Sequence, residues 1–208
     1  MAELTNIPQP RLTYLNLSTN AITTCANFSG HANLRTLLLA ENQLTTCAGL
    51  TNMNSLTELN LSANQINTLA DLRGLPALKN LDLSKNKLDT LEGFPTFAKL
   101  EILNLDENAI EKAGQLPHLK ELACLEELKM TGNPWVDEKG DDFRKEVLIA
   151  LDNLKIKRIN GAEEEVTEEE RKEAADEKAE RIKAEEEAAA AAAEAAANGE
   201  GENEAGDD

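Results

Sequence analysis

Leu56-Thr57-Glu58-Leu59-Asn60-Leu61-Ser62-Ala63-Asn64-Gln65-Ile66 is followed 22 residues later by Leu78-Lys79-Asn80-Leu81-Asp82-Leu83-Ser84-Lys85-Asn86-Lys87-Leu88. Both stretches place leucine at the first, fourth and sixth positions, asparagine at the ninth and an aliphatic residue at the eleventh. The same frame fits four more segments. Its asparagines are Asn20, Asn42, Asn64, Asn86 and Asn108, each 22 residues apart, and then Asn133 after a step of 25. The apolar triplets ahead of them are Leu12-Leu15-Leu17, Leu34-Leu37-Leu39, Leu56-Leu59-Leu61, Leu78-Leu81-Leu83, Leu100-Leu103-Leu105 and Leu125-Leu128-Met130. Ile22, Leu44, Ile66, Leu88, Ile110 and finally Trp135 follow two residues after each asparagine.

A fixed short period is the signature of a solenoid. No single unit can bury its apolar face, so neighbours must stack into one core. Each unit supplies a short strand, then a bend at which an asparagine amide can satisfy backbone groups left unpaired by the turn. A return segment then carries further apolar residues inward, as Leu69, Leu72 and Leu75 do in the third unit. The spacing predicts an α/β solenoid with a parallel sheet on its inner curve and little room for long outer helices.

Outside the repeats the pattern changes. The 25-residue step needs an extra helical turn or loop, with Leu116, Leu119 and Leu122 ahead of Leu125. Phe143, Val147, Leu151 and Leu154 lie on one face of a helix predicted over 141–152, which would cover the last rung. Residues 1–10 form a lead-in whose Asn6 and Gln9 stand where apolar residues belong, so the first rung is expected to be thinly covered. The six repeats occupy 11–135 and the cap 136–161. An acidic Glu/Ala helix is predicted over 162–198, and a disordered acidic end over 199–208. Thr167 and Glu170 make a capping box, and Glu168–Lys172 and Glu177–Arg181 are favourable i,i+4 pairs. Thirty such helical residues extend about 45 Å, and the weak stripe of Val166, Ala179 and Ile182 argues against a coiled coil.

Charge separates the chain into two parts. Of the formal net charge of −18, residues 162–208, with 19 acids and 5 bases, hold −14, which leaves −4 on residues 1–161. That balance excludes nucleic acid as an expected partner, since phosphate binding needs clustered lysine and arginine. No run of 18 apolar residues exists, so no membrane span is expected. Without a signal peptide, the three cysteines imply a reducing, intracellular compartment.

Little here can do chemistry. Cys25 and Cys47 share a slot that Leu69 and Leu91 fill later, which makes them buried apolar residues rather than a disulfide or metal pair. His31 stands where Met53, Leu75, Phe97 and Leu119 stand, at the edge of the core, while His118 and Cys124 lack partners at fixed spacing. The Asn-x-Ser sequons at Asn16, Asn27 and Asn60 carry no meaning inside a cell. No calcium-loop pattern is present. The expectation is no catalytic residue, no cofactor, no metal and no small-molecule substrate.

The residues between the leucines point out of the inner curve. From them Tyr14, Leu38, Asn60, Asn80, Asp82, Ile102 and Asn104 are selected as a surface for a peptide or helix, with apolar anchors at Leu38 and Ile102 and hydrogen bonding from the amides. The acidic tail is the competing contact.

The repeat L-x-x-L-x-L-x-x-N-x-I resembles the intracellular 22-residue leucine-rich-repeat subclass typified by the regulatory subunit of protein phosphatase-1. Gly132-Asn133-Pro134-Trp135, then Phe143-Arg144, then Leu154 to Gly161 are similar to that subclass's C-terminal cap. The cap is shared with acidic leucine-rich nuclear phosphoproteins, the spliceosomal A-prime protein and an axonemal dynein light chain. The resemblance implies a leucine-rich-repeat horseshoe with parallel inner sheet, C-terminal cap helix and long acidic tail helix. Within the group the chain resembles ciliary proteins, particularly the axonemal leucine-rich-repeat protein of radial spoke 3, where a Glu-rich run like Ala162–Lys172 also follows the cap. That likeness implies a structural protein of the ciliary or flagellar axoneme with axonemal protein partners. Regulation of a phosphatase, or histone-binding chaperoning in the nucleus, are the alternatives it leaves open.

Overall fold

The computed structural model describes residues 11–25, 31–161 and 165–199. The predicted lead-in 1–10, residues 162–164 and all but the first residue of the predicted end 199–208 lie outside the described residues, as does Asn27; Gly199 is the last residue of a helix.

Seven strands form one parallel sheet in chain order: β1 Tyr14–Asn16, β2 Thr36–Leu38, β3 Glu58–Asn60, β4 Asn80–Asp82, β5 Ile102–Asn104, β6 Glu127–Lys129 and β7 Arg158–Ile159. The pairing is in strict register, so Leu37, Leu59, Leu81, Leu103 and Leu128 stack as one buried column that continues in Ile159. The return segments close the other wall, where Leu44, Leu50, Leu72, Leu91 and Leu100 are at most 1% exposed. Burying each leucine contributes about 2 kcal/mol before entropy is counted. The sheet is a solenoid of stacked rungs.

The asparagines tie each rung to the one before it. Asn86 is 8% exposed, and its Oδ1 accepts the Ile66 amide at 3.0 Å. Its Nδ2 donates to the carbonyls of Leu61, Leu83 and Ser84. Asn42, Asn64 and Asn108 repeat the same bonds one rung up or down, and Asn133 spans the longer step with Ile110 and Leu105. Asn20 differs: it is exposed, and among the described residues its amide reaches only Leu17 and Ser18 of its own turn. Directly ahead of each asparagine stands a left-handed residue: Thr19, Glu41, Ala63, Lys85 and Glu107 at φ between 52° and 58°, and Gly132 at 72°. From Asn42 onward that turn rolls the following asparagine into the core.

The C-terminal end is closed more elaborately than the spacing predicts. The 25-residue step is taken up by a 3₁₀ segment, Ala113–Leu119, which buries Leu116 and Leu119. Helix α1, Pro134–Lys139, begins inside the sixth repeat, so repeat and cap are continuous at 135/136. Helix α2 runs only over Phe143–Ala150, and Leu151 and Leu154 reach the core from the turn beyond it. Trp135 and Phe143 pack edge to face at 5.1 Å, with the indole Nε1 buried and without a hydrogen-bond partner. Strand β7, too short to show a period, supplies a seventh rung.

At the other end Leu12, Leu15 and Leu17 are only half-buried, whereas their counterparts Leu34, Leu37 and Leu39 are fully buried. The first described rung is the weak one.

Replacing Asn86 with Ala leaves the Ile66 amide and a carbonyl buried without partners, which costs about 2–4 kcal/mol. Asn20→Ala at the exposed end costs less than about 1 kcal/mol. Urea unfolding of the two variants measures the difference, and equal midpoints would show that the asparagines do not hold the rungs.

Candidate partner-binding surface

Strand register sorts the outward residues into two columns. Tyr14, Thr36, Glu58, Asn80, Ile102, Glu127 and Arg158 form the first; Asn16, Leu38, Asn60, Asp82, Asn104 and Lys129 form the second. Five of the seven selected residues, Asn60, Asn80, Asp82, Ile102 and Asn104, line one shallow depression of about 190 Å³. Tyr14, 55% exposed, and Leu38 lie outside it, toward the first described rung. Leu38 and Ile102 are both half-buried and occupy different columns three strands apart, about 14 Å across the sheet. They do not make a continuous apolar patch.

The amides expected to bond a partner are partly used already. Asn60 Oδ1 accepts the Ser62 amide at 2.9 Å and its hydroxyl at 2.7 Å, and Asp82 does the same for Ser84. Asn16 and Asn104 accept the amides of Ser18 and Asp106. Each acceptor shapes the bend ahead of the left-handed residue, so these side chains are structural first, with only their outer atoms free for contact. Leu38 and Lys129 dispense with this bond; the Thr131 amide after Lys129 goes to Asp106 instead.

Next to the depression, β6 and β7 are locked by a charge knot. Glu127, 7% exposed, accepts from Arg158 at 2.6 Å and Lys129 at 3.1 Å. Burial pushes its carboxyl up, but hydrogen bonds from Arg158 and Lys129 outweigh this and hold it below the usual carboxylate range. Asp106 moves the other way: burial raises it, against the Thr131 amide bond at 2.7 Å. Nothing in the spacing singled out Glu127, because its partner Arg158 sits in a strand that lacks the repeat.

A second depression, about 680 Å³, lies on the return segments of the third and fourth repeats, bordered by Arg73, Pro76, Pro95 and Phe97. It was not foreseen. The pairs Gly74/Pro76 and Gly93/Pro95, which thin the wall there, were the available signal.

Cys25 and Cys47 are buried free thiols, both pushed up to about 12 by burial. They pack as small apolar groups and are poor nucleophiles. His31 is half-buried, and its carbonyl accepts the Leu34 amide as Met53, Leu75, Phe97 and Leu119 do for theirs. His118 is exposed. Among the described residues no His, Cys, Asp and Glu group could hold a metal, and no helix is long and apolar enough to cross a membrane.

The acidic tail is not a free appendage. Helix α3 spans Glu168–Gly199, six residues later than the predicted start, because the Thr167–Glu170 capping box sets its first turn. Residues 165–167 belong to no helix or strand, and Val166 donates to the Lys157 carbonyl at 2.7 Å. The proximal half of α3 then lies on α2. Glu170 pairs with Arg144 at 2.6 Å, Glu177 with Lys145 at 2.9 Å, Arg181 with Glu146 at 3.0 Å, and Lys178 with Asp152 at 2.7 Å. Arg171 donates to the Ile156 carbonyl, and Ala174, 2% exposed, is part of the core. Glu177–Arg181 forms within the helix, but Glu168 and Lys172 make no ion pair among the described residues. From Ile182 to Ala193 every residue is exposed.

Comparison with known proteins agrees with this geometry. Leucine-rich repeats, in a two-copy description, match residues 32–74 and again 55–96. The fold is a leucine-rich-repeat solenoid. An internalin of Listeria monocytogenes superposes over 70% of this chain at TM-score 0.56 and 23% identity, and this chain spans only 40% of it. A chain of the Drosophila melanogaster SNF/U2A′ complex superposes over 83% of this chain and 85% of its own length, at TM-score 0.51 and 18% identity. No curated protein matches the sequence significantly. Leucine-rich-repeat domains generally bind other proteins and are typically non-enzymatic.

The docking of α3 gives a pH signature. Hydrogen bonds from Arg181, Arg144, Lys145 and Lys178 hold Glu146, Glu170, Glu177 and Asp152 below the usual carboxylate range. Depressed values stabilise the docked state fully above about pH 4.5, the ordinary carboxylate value, and that stability is lost as pH falls through them. The Ala174 methyl resonance is expected to hold its core shift at pH 6 and to move toward the solvent-exposed value as pH falls below the ordinary carboxylate range. Salt near 1 M is expected to shift that transition upward. An Ala174 resonance indifferent to both would mean that apolar packing alone seats the helix.

Proposed function

We propose that this leucine-rich-repeat domain is a non-enzymatic scaffold that holds a protein partner on its concave sheet, and that it serves as a structural component of the ciliary or flagellar axoneme, among radial-spoke proteins. The observation that carries the scaffold reading is the open outward face of the seven-stranded sheet, with a depression around Ile102 and half-buried Leu38 beside it. The axonemal reading draws on the likeness of cap and tail to ciliary proteins. It also draws on the seating of α3: four ion pairs to α2 and its following turn, together with buried Ala174, make the tail's proximal half one body with the repeats. A helix of 32 residues is about 48 Å long. Fixed at one end, it suits a strut between fixed neighbours better than a tether.

A second reading, acidic nuclear chaperoning of histones, is favoured by the exposed distal half of α3, where Glu185, Glu186 and Glu187 are grouped. A tagged copy in a ciliated cell separates the two. Retention in detergent-extracted axonemes is expected, and a soluble nuclear pool bound to histones would overturn the axonemal placement.

Replacing Leu38 and Ile102 together with Asp is expected to weaken partner retention roughly tenfold or more. The urea midpoint should stay nearly unchanged, because both side chains are only half-buried. Unaltered capture of axonemal proteins by the double variant would move the contact elsewhere.

A further inference from the structure

On the concave sheet and the positions just ahead of its strands, most charges are paired; among the described residues Arg35, ahead of β2, and the carboxylates of Glu58 and Asp82 are not. Lys79 is held by Glu101 at 2.6 Å, and Lys157 by Glu126 at 2.9 Å. Lys129 and Arg158 are both held by Glu127. The carboxylates of Glu58 and Asp82 have no cation within ion-pair distance among the described residues. Glu58 accepts only the Thr36 hydroxyl, at 3.3 Å, and Asp82 only the amide and hydroxyl of Ser84. These two carboxylates stand on β3 and β4, the strands between the one that carries Leu38 and the one that carries Ile102.

We infer that the concave face takes an extended partner segment with the pattern apolar–x–basic–x–apolar, its lysine or arginine seated between Glu58 and Asp82 and its apolar residues on Leu38 and Ile102. The inference rests on the concave-binding reading and adds the chemistry of the partner. Spacing supplies the pattern. Leu38 and Ile102 are about 14 Å apart across the strands. They are also two residues, about 7 Å, apart along the strands, which makes about 16 Å in all. Four residues of extended chain cover about 13 Å, the reach of long apolar side chains closes the rest, and residues i, i+2 and i+4 face one side. A cation at i+2 therefore meets the two unpaired carboxylates while the outer residues meet the apolar positions. A lone acidic cluster would attract any cation. The flanking apolar residues and the depression of about 190 Å³ around Ile102 give this one an order along the segment.

The test uses the full chain with isotope-labelled methyl groups and three synthetic peptides, each blocked at both ends. The first is Leu-Ser-Lys-Ser-Leu-Ser-Lys-Ser-Leu, the second replaces both lysines with glutamate, and the third has the same composition in scrambled order. The first peptide is expected to shift the Leu38 and Ile102 methyl resonances. The glutamate and scrambled peptides are expected to bind roughly tenfold more weakly or worse. Glu58→Gln with Asp82→Asn removes both charges and keeps the turn, since Asn60 and Asn104 make the same serine or aspartate amide bond. That double variant is expected to weaken the first peptide roughly five- to tenfold.

If Ile102→Asp abolishes binding but Glu58→Gln/Asp82→Asn does not, the concave reading survives and the basic-partner inference falls. If no concave variant matters, or the shifts are confined to residues 168–199, both fall and the basic peptide is being held by the acidic helix.

Discussion

The bond from each buried asparagine amide to the rung before it is the constraint on which the other features of the molecule rest. An asparagine has one acceptor and one two-proton donor, and here both ends are used: Oδ1 takes an amide from the neighbouring rung, and Nδ2 serves carbonyls of both rungs. Aspartate would lack the donor, and leucine would lack both. The column therefore fixes the distance between rungs and the register of the sheet at once. Its cost is conformational. Every asparagine follows a residue at positive φ, and in five of six turns that residue is not glycine, a strain of roughly 1 kcal/mol each. The array tolerates it because each turn is tied by several hydrogen bonds. Only the sixth turn uses glycine, Gly132, where a Cβ would approach Glu107 Cγ to 3.1 Å.

A ladder of this kind is unsatisfied at its ends, and the two ends are treated differently. At the C-terminus the cap imitates the repeat: Asn160 Oδ1 accepts the Met130 amide at 2.8 Å, with Asn160 and Gly161 both at positive φ. Strand β7 thus extends the sheet by a rung that has no leucine frame of its own. Trp135 and Phe143 fill the space behind it, and burying the indole Nε1 unbonded is a polar cost accepted for that packing. The proximal half of α3 then covers α2. At the N-terminal side Asn20 has no described rung to bond, and Leu12, Leu15 and Leu17 stay half-buried.

This division explains what could be read from the sequence. The repeat is periodic because every rung solves the same burial problem, so strands, register and the asparagine column were legible from spacing alone. The left-handed positions were not, since Thr19, Glu41, Ala63, Lys85 and Glu107 share no chemistry; the fold imposes their backbone and the side chains only tolerate it. Strand β7 and the seating of α3 were hidden for a different reason. They depend on ion pairs across 26 to 35 residues, such as Arg144–Glu170 and Arg181–Glu146, and charge alternation within a helix shows only local pairs such as Glu177–Arg181. The Glu/Ala composition pointed to a solvated helix because its docking face is a single small residue, Ala174, among charges.

The same reasoning refines the concave face. Positions between the leucines point outward, but outward is not the same as available. Asn16, Asn60, Asp82 and Asn104 are outward and yet bonded within their own turns, which accounts for their recurrence without any partner. Positions that depart from the column without a turn to serve carry more information. Leu38 gives up the turn acceptor, and Ile102 replaces a polar residue in the first column. Asp82 keeps a charge that a neutral amide would spare, since Asn60 and Asn104 shape the same turn without one, and Glu58 keeps a charge in a column that serves no turn. A residue retained where the fold would accept a simpler one is the residue whose identity the scaffold does not explain, and on this sheet such residues lie within one another's reach across four adjacent strands.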